Sequence, residues 1–447
     1  MKSKLIALAV IIFVLAGFST SAQIGEDIAP KQISTSDVVC GARGDCQVAM
    51  AINEDDTMIY VVWPERDADN QNTLYIAVSN DEGRTFAEPR AIPLTTSPNT
   101  RHPDLGVAGD GSLLMVWTDD RTGNDDILIS VSEDDGATWK WDNDGDFFNL
   151  SNNEGDSYEP SISVDLDGPV VVAWSDNSID DEINPNGGRN IFSRITFNPG
   201  QTDSNVLEFL EASDTLNISR RLVSSIGPPA VAPQVRFDPR PTGDPTNLAN
   251  VFVAWEQAIS SDEEILFHSM QAFSPVLVSD PDEFVDSNRP TMAVAELRNP
   301  NQIGGIQAVI AWEERSGSQS RILSSGSTVI ERPFTLPGFS KRVLELSDRD
   351  EFASNPALTA NSIGEFFIAW QSDDLTSSAP TVIKVRFLSN AFSPIIDISE
   401  RTGARADAIN PAVGADMNNV YVSWVEEDRA LNRFDIYFAA QNRIGAF

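Results

Sequence analysis

The chain has little of what most catalytic or nucleic-acid-binding proteins use. It holds two cysteines and two histidines, and past residue 18 no apolar run is long enough to cross a bilayer. Two cysteines cannot build a disulfide framework or a thiolate metal cluster. His102 and His268, far apart in sequence, give transition-metal chemistry almost nothing to bind. Lysine nearly disappears after the first few residues, leaving Lys31, Lys140, Lys341 and Lys384. Against 31 basic residues stand 67 acidic ones, a formal net charge of −36. Such a field repels nucleic acid, anionic membranes and polyanionic substrates. No G-x-S-x-G nucleophile motif and no phosphate-cradling glycine loop occurs. Apolar residues at helical spacing are missing as well.

What is present begins with an address. Lys2 and Lys4, an apolar stretch over Leu5 to Phe18, and the small residues Thr20-Ser21-Ala22 read as a signal peptide over residues 1–22. Without a lipobox cysteine the expected product is secreted, extracellular or periplasmic. Oxidising surroundings then favour a Cys40–Cys46 disulfide over two free thiols.

Seven short apolar runs end in tryptophan: Trp63, Trp117, Trp174, Trp255, Trp312, Trp370 and Trp424. Neighbouring tryptophans lie 54 to 58 residues apart, apart from one gap of 81. A strand-rich unit repeated at this period is the signature of a β-propeller. The second repeat spells out one blade, from a strand at Pro103, through Leu113–Trp117 and Asp126–Ser132, to a fourth strand running toward Leu150. Proline opens the first strand at 103, 160, 233, 290, 356 and 411, where no ladder donor is needed; Cys46 stands at the matching place in repeat one. An apolar residue followed by Ser or Thr closes each fourth strand, at Leu94-Thr95, Leu150-Ser151, Val223-Ser224, Val278-Ser279, Leu346-Ser347 and Ile398-Ser399. The seventh such pair, Ile33-Ser34, lies near the start, whereas the last repeat has only three strands. The fold expected is therefore all-β, one seven-bladed propeller of four-stranded antiparallel blades over residues 23–447, its ring closed by the N-terminal strand joining the last blade. The blades fall near 46–97, 103–154, 160–226, 233–284, 290–350, 356–403 and 411–447 plus 28–36.

Two segments follow S-x-D-x-G-x-T-[WF]: Ser79, Asp81, Gly83, Thr85, Phe86, and Ser132, Asp134, Gly136, Thr138, Trp139. This resembles the Asp box of bacterial neuraminidase repeats, found in sialidase-like propellers. The motif is structural: aspartate bonds backbone donors across a turn, glycine takes positive φ, and the aromatic packs between strands. The resemblance implies that any site lies on the opposite face, where loops between strands two and three and between blades emerge. That face gathers Glu65, Arg66, Arg101, Asp119, Asp120, Arg121, Tyr158, Glu159, Asp176, Arg289, Glu314, Arg315, Glu426 and Glu427, the expected ligand-binding residues. Sialidases hold their substrate's carboxylate with three arginines, the first in an F/Y-R-I-P motif, which is missing here, and no catalytic residue is assigned.

Asp142, Asp144 and Asp146 alternate around Gly145 as carboxylates do in calcium loops, without the downstream glutamate of an EF-hand; a structural Ca²⁺ site and a plain acidic hairpin both fit. No cofactor is required. The leading expectation is a monomeric, non-catalytic module binding a glycan or an extracellular protein. An extracellular glycoside hydrolase using carboxylates at the channel mouth is the alternative, and a structural envelope protein a third.

Overall fold

The computed structural model describes residues 27–35, 47–53, 57–141, 146–165, 169–178, 188–195, 215–218, 229–238, 251–259, 262–269, 274–279, 285–296, 305–327, 339, 343–375, 379–388, 393–400, 406–428 and 433–442. They form seven separate four-stranded antiparallel sheets, and their only helical element is one 3₁₀ turn, Pro93–Thr95. Six sheets take their four strands consecutively from the chain; the seventh adds Ile28–Gln32 beyond the last strand, Arg433–Asn442. This is a seven-bladed β-propeller closed by its N-terminal strand. No helix among the described residues is long and apolar enough to cross a membrane.

The second strand of each blade is apolar on both faces because neighbouring blades cover both. Leu113–Asp119, Val170–Asp176 and Phe366–Trp370 are buried along their whole length. The core is accordingly split into clusters between blades. One joins Val62 and Ile76 of blade 1 to Met115 and Trp117 of blade 2, and another joins Trp63 of blade 1 to Phe438 of blade 7. All seven repeat tryptophans are fully buried.

The apolar–Ser/Thr pairs turn out to be hooks. Six of the seven outer strands are only two residues long, so a side chain must finish the ladder. The Ser or Thr hydroxyl accepts the amide of a third-strand residue: Leu74 on Thr95 (2.8 Å), Ile127 on Ser151 (3.0 Å), Ile265 on Ser279 (2.8 Å), Ile322 on Ser347 (2.9 Å) and Ile383 on Ser399 (2.8 Å). Ile436 on Ser34 (2.9 Å) completes the set across the ring closure. Two pairs differ from the sequence reading. In blade 1 a proline turn follows the strand, and Ile92 rather than Leu94 donates to the third strand, at Leu74. In blade 3 the Ile218 amide bonds the Ile191 carbonyl (2.8 Å), taking the place expected for Val223, which lies outside the described residues with Ser224.

Both Ser-x-Asp-x-Gly-x-Thr turns have one geometry. Asp81 accepts the Thr85 amide (2.8 Å) and hydroxyl (2.6 Å), and Asp134 accepts those of Thr138 (both 2.7 Å). Gly83 and Gly136 sit at φ 81° and 74°, and a Cβ on Gly83 would come within 2.5 Å of Phe438. Phe86 packs edge-on against Phe438, while Trp139 is buried. The Glu82 amide reaches the Thr57 carbonyl in the first hairpin of blade 1 (3.4 Å). These turns therefore share a face with the first hairpins, and the chain beyond each tryptophan emerges on the other. Cys40, Cys46, Asp142 and Asp144 lie outside the described residues. Asp146 is described, and its carbonyl takes the Ser130 hydroxyl (2.7 Å).

Candidate functional site at the channel mouth

Residues after each tryptophan alternate in direction, as strand geometry demands. The second residue on returns to the tryptophan's own side, and in four blades it caps the indole, whereas the Trp312 and Trp424 nitrogens of blades 5 and 7 have no partner among the described residues. Trp63 donates to Glu65 (2.7 Å), Trp117 to Asp119 (3.0 Å), Trp174 to Asp176 (3.0 Å) and Trp255 to Gln257 (3.0 Å). In blade 6 the position is Ser372, and Glu351 of the first strand takes over, accepting Trp370 (3.2 Å) and Ser372 (2.5 Å) and pairing with Lys384.

These acids are heavily committed. Asp176 also accepts the Asn153 amide, the Ser157 hydroxyl and the Ser178 backbone. Asp119 takes Thr100 (2.9 Å) and pairs with Arg121 (2.6 Å), whose guanidinium lies over Phe147. Glu314 is buried and pairs with Arg321; Arg315 pairs with the buried Glu313. Arg66 donates to Asn72 (2.9 Å). Arg101 pairs with Asp125 (2.9 Å), and its guanidinium and that of Arg189 both lie over the Tyr158 ring. Burial, then Asp156 and Asp125, push the Tyr158 hydroxyl upward. Glu426 is buried beside strand Arg433–Asn442, paired in register with Asp435, and Glu427 faces Phe434. Asp120 keeps one buried carboxylate oxygen without a partner among the described residues.

The first residue after tryptophan, on the opposite side of the strand, reaches the next blade. Glu256 accepts the Arg289 amide (3.0 Å), and Glu313 accepts the Asn355 amide (3.3 Å). Each amide belongs to a bulge. Six first strands lose register just before the recurring proline, and the residue preceding it turns left-handed: His102, Glu159, Ala232, Arg289, Asn355 and Asn410, with φ between 50° and 53°. Glu159, itself such a residue, accepts the amide of the next one, Ala232 (3.0 Å). Burial above all, then Glu263 and Glu159, push the Glu256 carboxyl up to about 7, against the opposing pull of the Arg289 amide and charge.

These bulges rim a cavity of about 460 Å³ in the central channel, within the range of roughly 300–1,000 Å³ common for small-molecule sites. Its wall is divided. Blades 2 to 5 contribute His102, Asp104, Glu159, Gln234, Arg236 and Arg289; blades 6, 7 and 1 contribute mainly the aliphatic Leu358, Val413, Val48 and Met50, with the amides of Asn355, Asn410 and Gln47. No phenylalanine, tyrosine or tryptophan lines it among the described residues. Asp104 and Arg236 carry charge into this enclosed space. Burial moves the Asp104 carboxyl up and the Arg236 guanidinium down, outweighing their mutual attraction. Burial, and then Arg101, push His102 down to about 3.

Of the residues expected at the site, Glu159 and Arg289 line this cavity; the others lie around its mouth or in the blades. Sequence reasoning missed Asp104, Arg236 and Gln234. Their signal was available, since all three follow a repeat proline by one or three residues on an innermost strand. Among the described residues no cluster of three or more His, Cys, Asp or Glu side chains could hold a metal ion.

No protein-family model matches the chain, and no curated protein matches it. Among solved structures, an α-L-arabinanase of Penicillium chrysogenum is 12% identical, aligned over 94% of this chain and all of its own, with a TM-score of 0.48. An α-L-arabinofuranosidase of Fusarium graminearum is 10% identical over 94% of this chain and 99% of its own, at 0.46. A polysaccharide lyase is 9% identical over 92% of each chain, at 0.49. A likeness so distant is no guide to activity, and function rests on the site itself.

Proposed function

We propose that this propeller is a secreted, non-catalytic glycan-binding module whose site is the channel mouth, on the face opposite the Ser-x-Asp-x-Gly-x-Thr turns. The observation that carries it is the cavity itself, concave and ringed by amides, guanidinium groups and two carboxylates that a sugar hydroxyl can bond. The expected mouth acids Glu65, Asp119 and Asp176 instead cap indoles, which leaves little free carboxylate for catalysis. Resemblance of the two turns to neuraminidase repeats is consistent with this orientation.

The test is a glycan array probed with wild-type protein and with Arg289→Ala. Arg289 is exposed and makes no ion pair among the described residues, so its loss leaves the fold intact. Binding to a defined glycan set that weakens at least tenfold in the variant supports the reading; an array with no hits sinks it. One observation favours a hydrolase as the second reading. Glu256, at about 7, stands close enough to Glu159 to feel its charge, and two carboxyls pushed apart in pKa are what acid–base chemistry needs. Turnover of fluorogenic glycosides that disappears in Glu256→Gln would establish it.

A further inference from the structure

Resting on that reading, we infer that the channel lumen is a pocket for one neutral sugar at the end of a glycan chain. The ring enters edge-on, its hydroxyls against blades 2 to 5 and its C–H face against the aliphatic wall of blades 6, 7 and 1. Three observations lead there.

The first is an unsatisfied group. His102 is 8% exposed, lines the cavity, and its Nδ1 has no hydrogen-bond partner among the described residues. A buried polar atom of this kind calls for a partner that the protein does not supply. The imidazole is neutral, with its ordinary value pushed down to about 3. Whichever tautomer it adopts, a hydroxyl serves, because a hydroxyl both donates and accepts.

The second is spare bonding capacity of balanced charge. The guanidinium of Arg236 spends one donor on the Val235 carbonyl (2.7 Å), and that of Arg289 makes no ion pair among the described residues. Glu159 uses one oxygen on Ala232, and Asp104 receives the Ile162 and Leu105 amides (both 2.9 Å). Two cationic and two acidic groups leave the lumen without a strong preference for net charge, and the chain's overall −36 opposes an anion. A neutral, hydroxyl-rich ligand matches both halves of the wall.

The third is depth. Arg236 lies three residues beyond Pro233, roughly 10 Å along the strand from the rim. First strands of all seven blades surround that space, so a polymer lying across the face cannot reach it. A chain end can.

The experiment exploits the scarcity of histidine. Protein labelled with ¹⁵N-histidine shows two imidazoles, and His268→Gln assigns them. It is titrated with D-glucose, D-galactose, D-mannose, L-arabinose and L-fucose, and with L-leucine as a zwitterion of similar size. The expected result is a sugar-dependent shift of the His102 Nδ1 signal with His268 unmoved, and at least tenfold weaker binding in Arg236→Gln. Oligomers of the binding sugar should compete per chain end, not per residue. Should Arg236→Gln fail to fold, the wild-type titration decides alone. A glycan that binds on the array while His102 stays unmoved overturns the lumen pocket and leaves the binding module standing. A shift with L-leucine and none with any sugar, or no glycan binding of any kind, overturns both.

Discussion

At the scale of single residues, the site acids divide by strand parity. Asp176 shows one half of the rule. It is fully buried and takes four donors: the Trp174 indole, Asn153, Ser157 and the Ser178 amide. Asp176→Ala strands buried donors at about 1–3 kcal/mol each, so we expect a loss of about 3 kcal/mol or more in urea unfolding. Asp176→Asn keeps an acceptor and should lose less than half of that; equal losses would mean the contacts are not what the carboxylate provides. Glu256 shows the other half. Its folded value of about 7 lies above the ordinary carboxyl value of 4.5, so its ionisation opposes folding. The folded state is favoured below the unfolded value, and that advantage is lost as pH rises from 4.5 through 7. Glu256→Gln keeps the acceptor for Arg289 and removes the charge, so it should match wild type near pH 4 and exceed it at pH 8. The gain is at most about 3 kcal/mol at 1.36 kcal/mol per pKa unit, less with solvent screening. Variant and wild-type curves that stay parallel across this range would refute the raised value. The tryptophans and the acids beside them were plain in the sequence. The two-residue period alone puts Glu65, Asp119 and Asp176 beside their indoles and Glu256 toward the next blade, but the raised Glu256 also needed Glu263 and Glu159 beside it, which no local pattern brings together.

At the scale of elements, the recurring proline was legible as a strand start, whereas the bulge before it was not. Local preference argues against it, because a residue before proline favours extended backbone and a Cβ disfavours left-handed φ. What holds the bulge is tertiary: a carboxylate from a neighbouring blade receives the exposed amide, as Glu159 does for Ala232 and Glu256 for Arg289. Six blades hold this conformation, and so the rim of the channel is built from strained backbone. Ala232 has φ 51° and no side-chain role at the rim beyond its methyl group. Ala232→Gly should therefore stabilise the fold by about 0.5–1 kcal/mol, since left-handed backbone costs an L-residue roughly 1–2 kcal/mol and added chain entropy takes part of that back. A higher denaturant midpoint with an unchanged slope is the expected reading; a lower midpoint would show that the bulge is not strained. The apolar–Ser/Thr hooks were visible as a pattern whose purpose was not, because the amide that each hydroxyl receives comes from a strand earlier in the blade. The shift of the blade 3 hook to Ile218 shows how an insertion blurs the spacing that made the others readable.

At the scale of the whole molecule, charge and closure act on every blade together. A formal charge of −36 makes the folded ring repel itself, and screening weakens such repulsion. Raising sodium chloride from 0.02 to 0.5 M should lift the thermal midpoint, and a flat response would mean that the ion pairs and the repulsion cancel. Closure depends on a short segment whose importance was readable from the count of Ser/Thr pairs alone. Strand Ile28–Gln32 pairs with Arg433–Asn442 and would otherwise leave that strand as an open edge. Lys31 adds a clamp between blades 7 and 1. Its ammonium donates to the Gly83 and Arg84 carbonyls of the blade 1 turn and lies 5.2 Å from the Phe86 ring and 5.8 Å from the Phe438 ring. Gln32 binds Asp435 (2.8 Å), and Asp27 accepts the Asn442 amide (2.7 Å). Each bond is worth only about 0.5–1.5 kcal/mol, yet those of Asp27 and Gln32 join the first strand to the last, and those of Lys31 tie that strand to blade 1. Removing residues 1–34 should lower the thermal midpoint far more than Lys31→Met, which keeps the strand and loses the clamp. It should also expose an edge that pairs with other copies, visible as concentration-dependent association in size-exclusion chromatography. If the truncated chain stays monomeric with an unchanged midpoint, the ring does not depend on its first strand, and its closure would rest on the packing of Trp63, Tyr421 and Phe438 between blades 7 and 1.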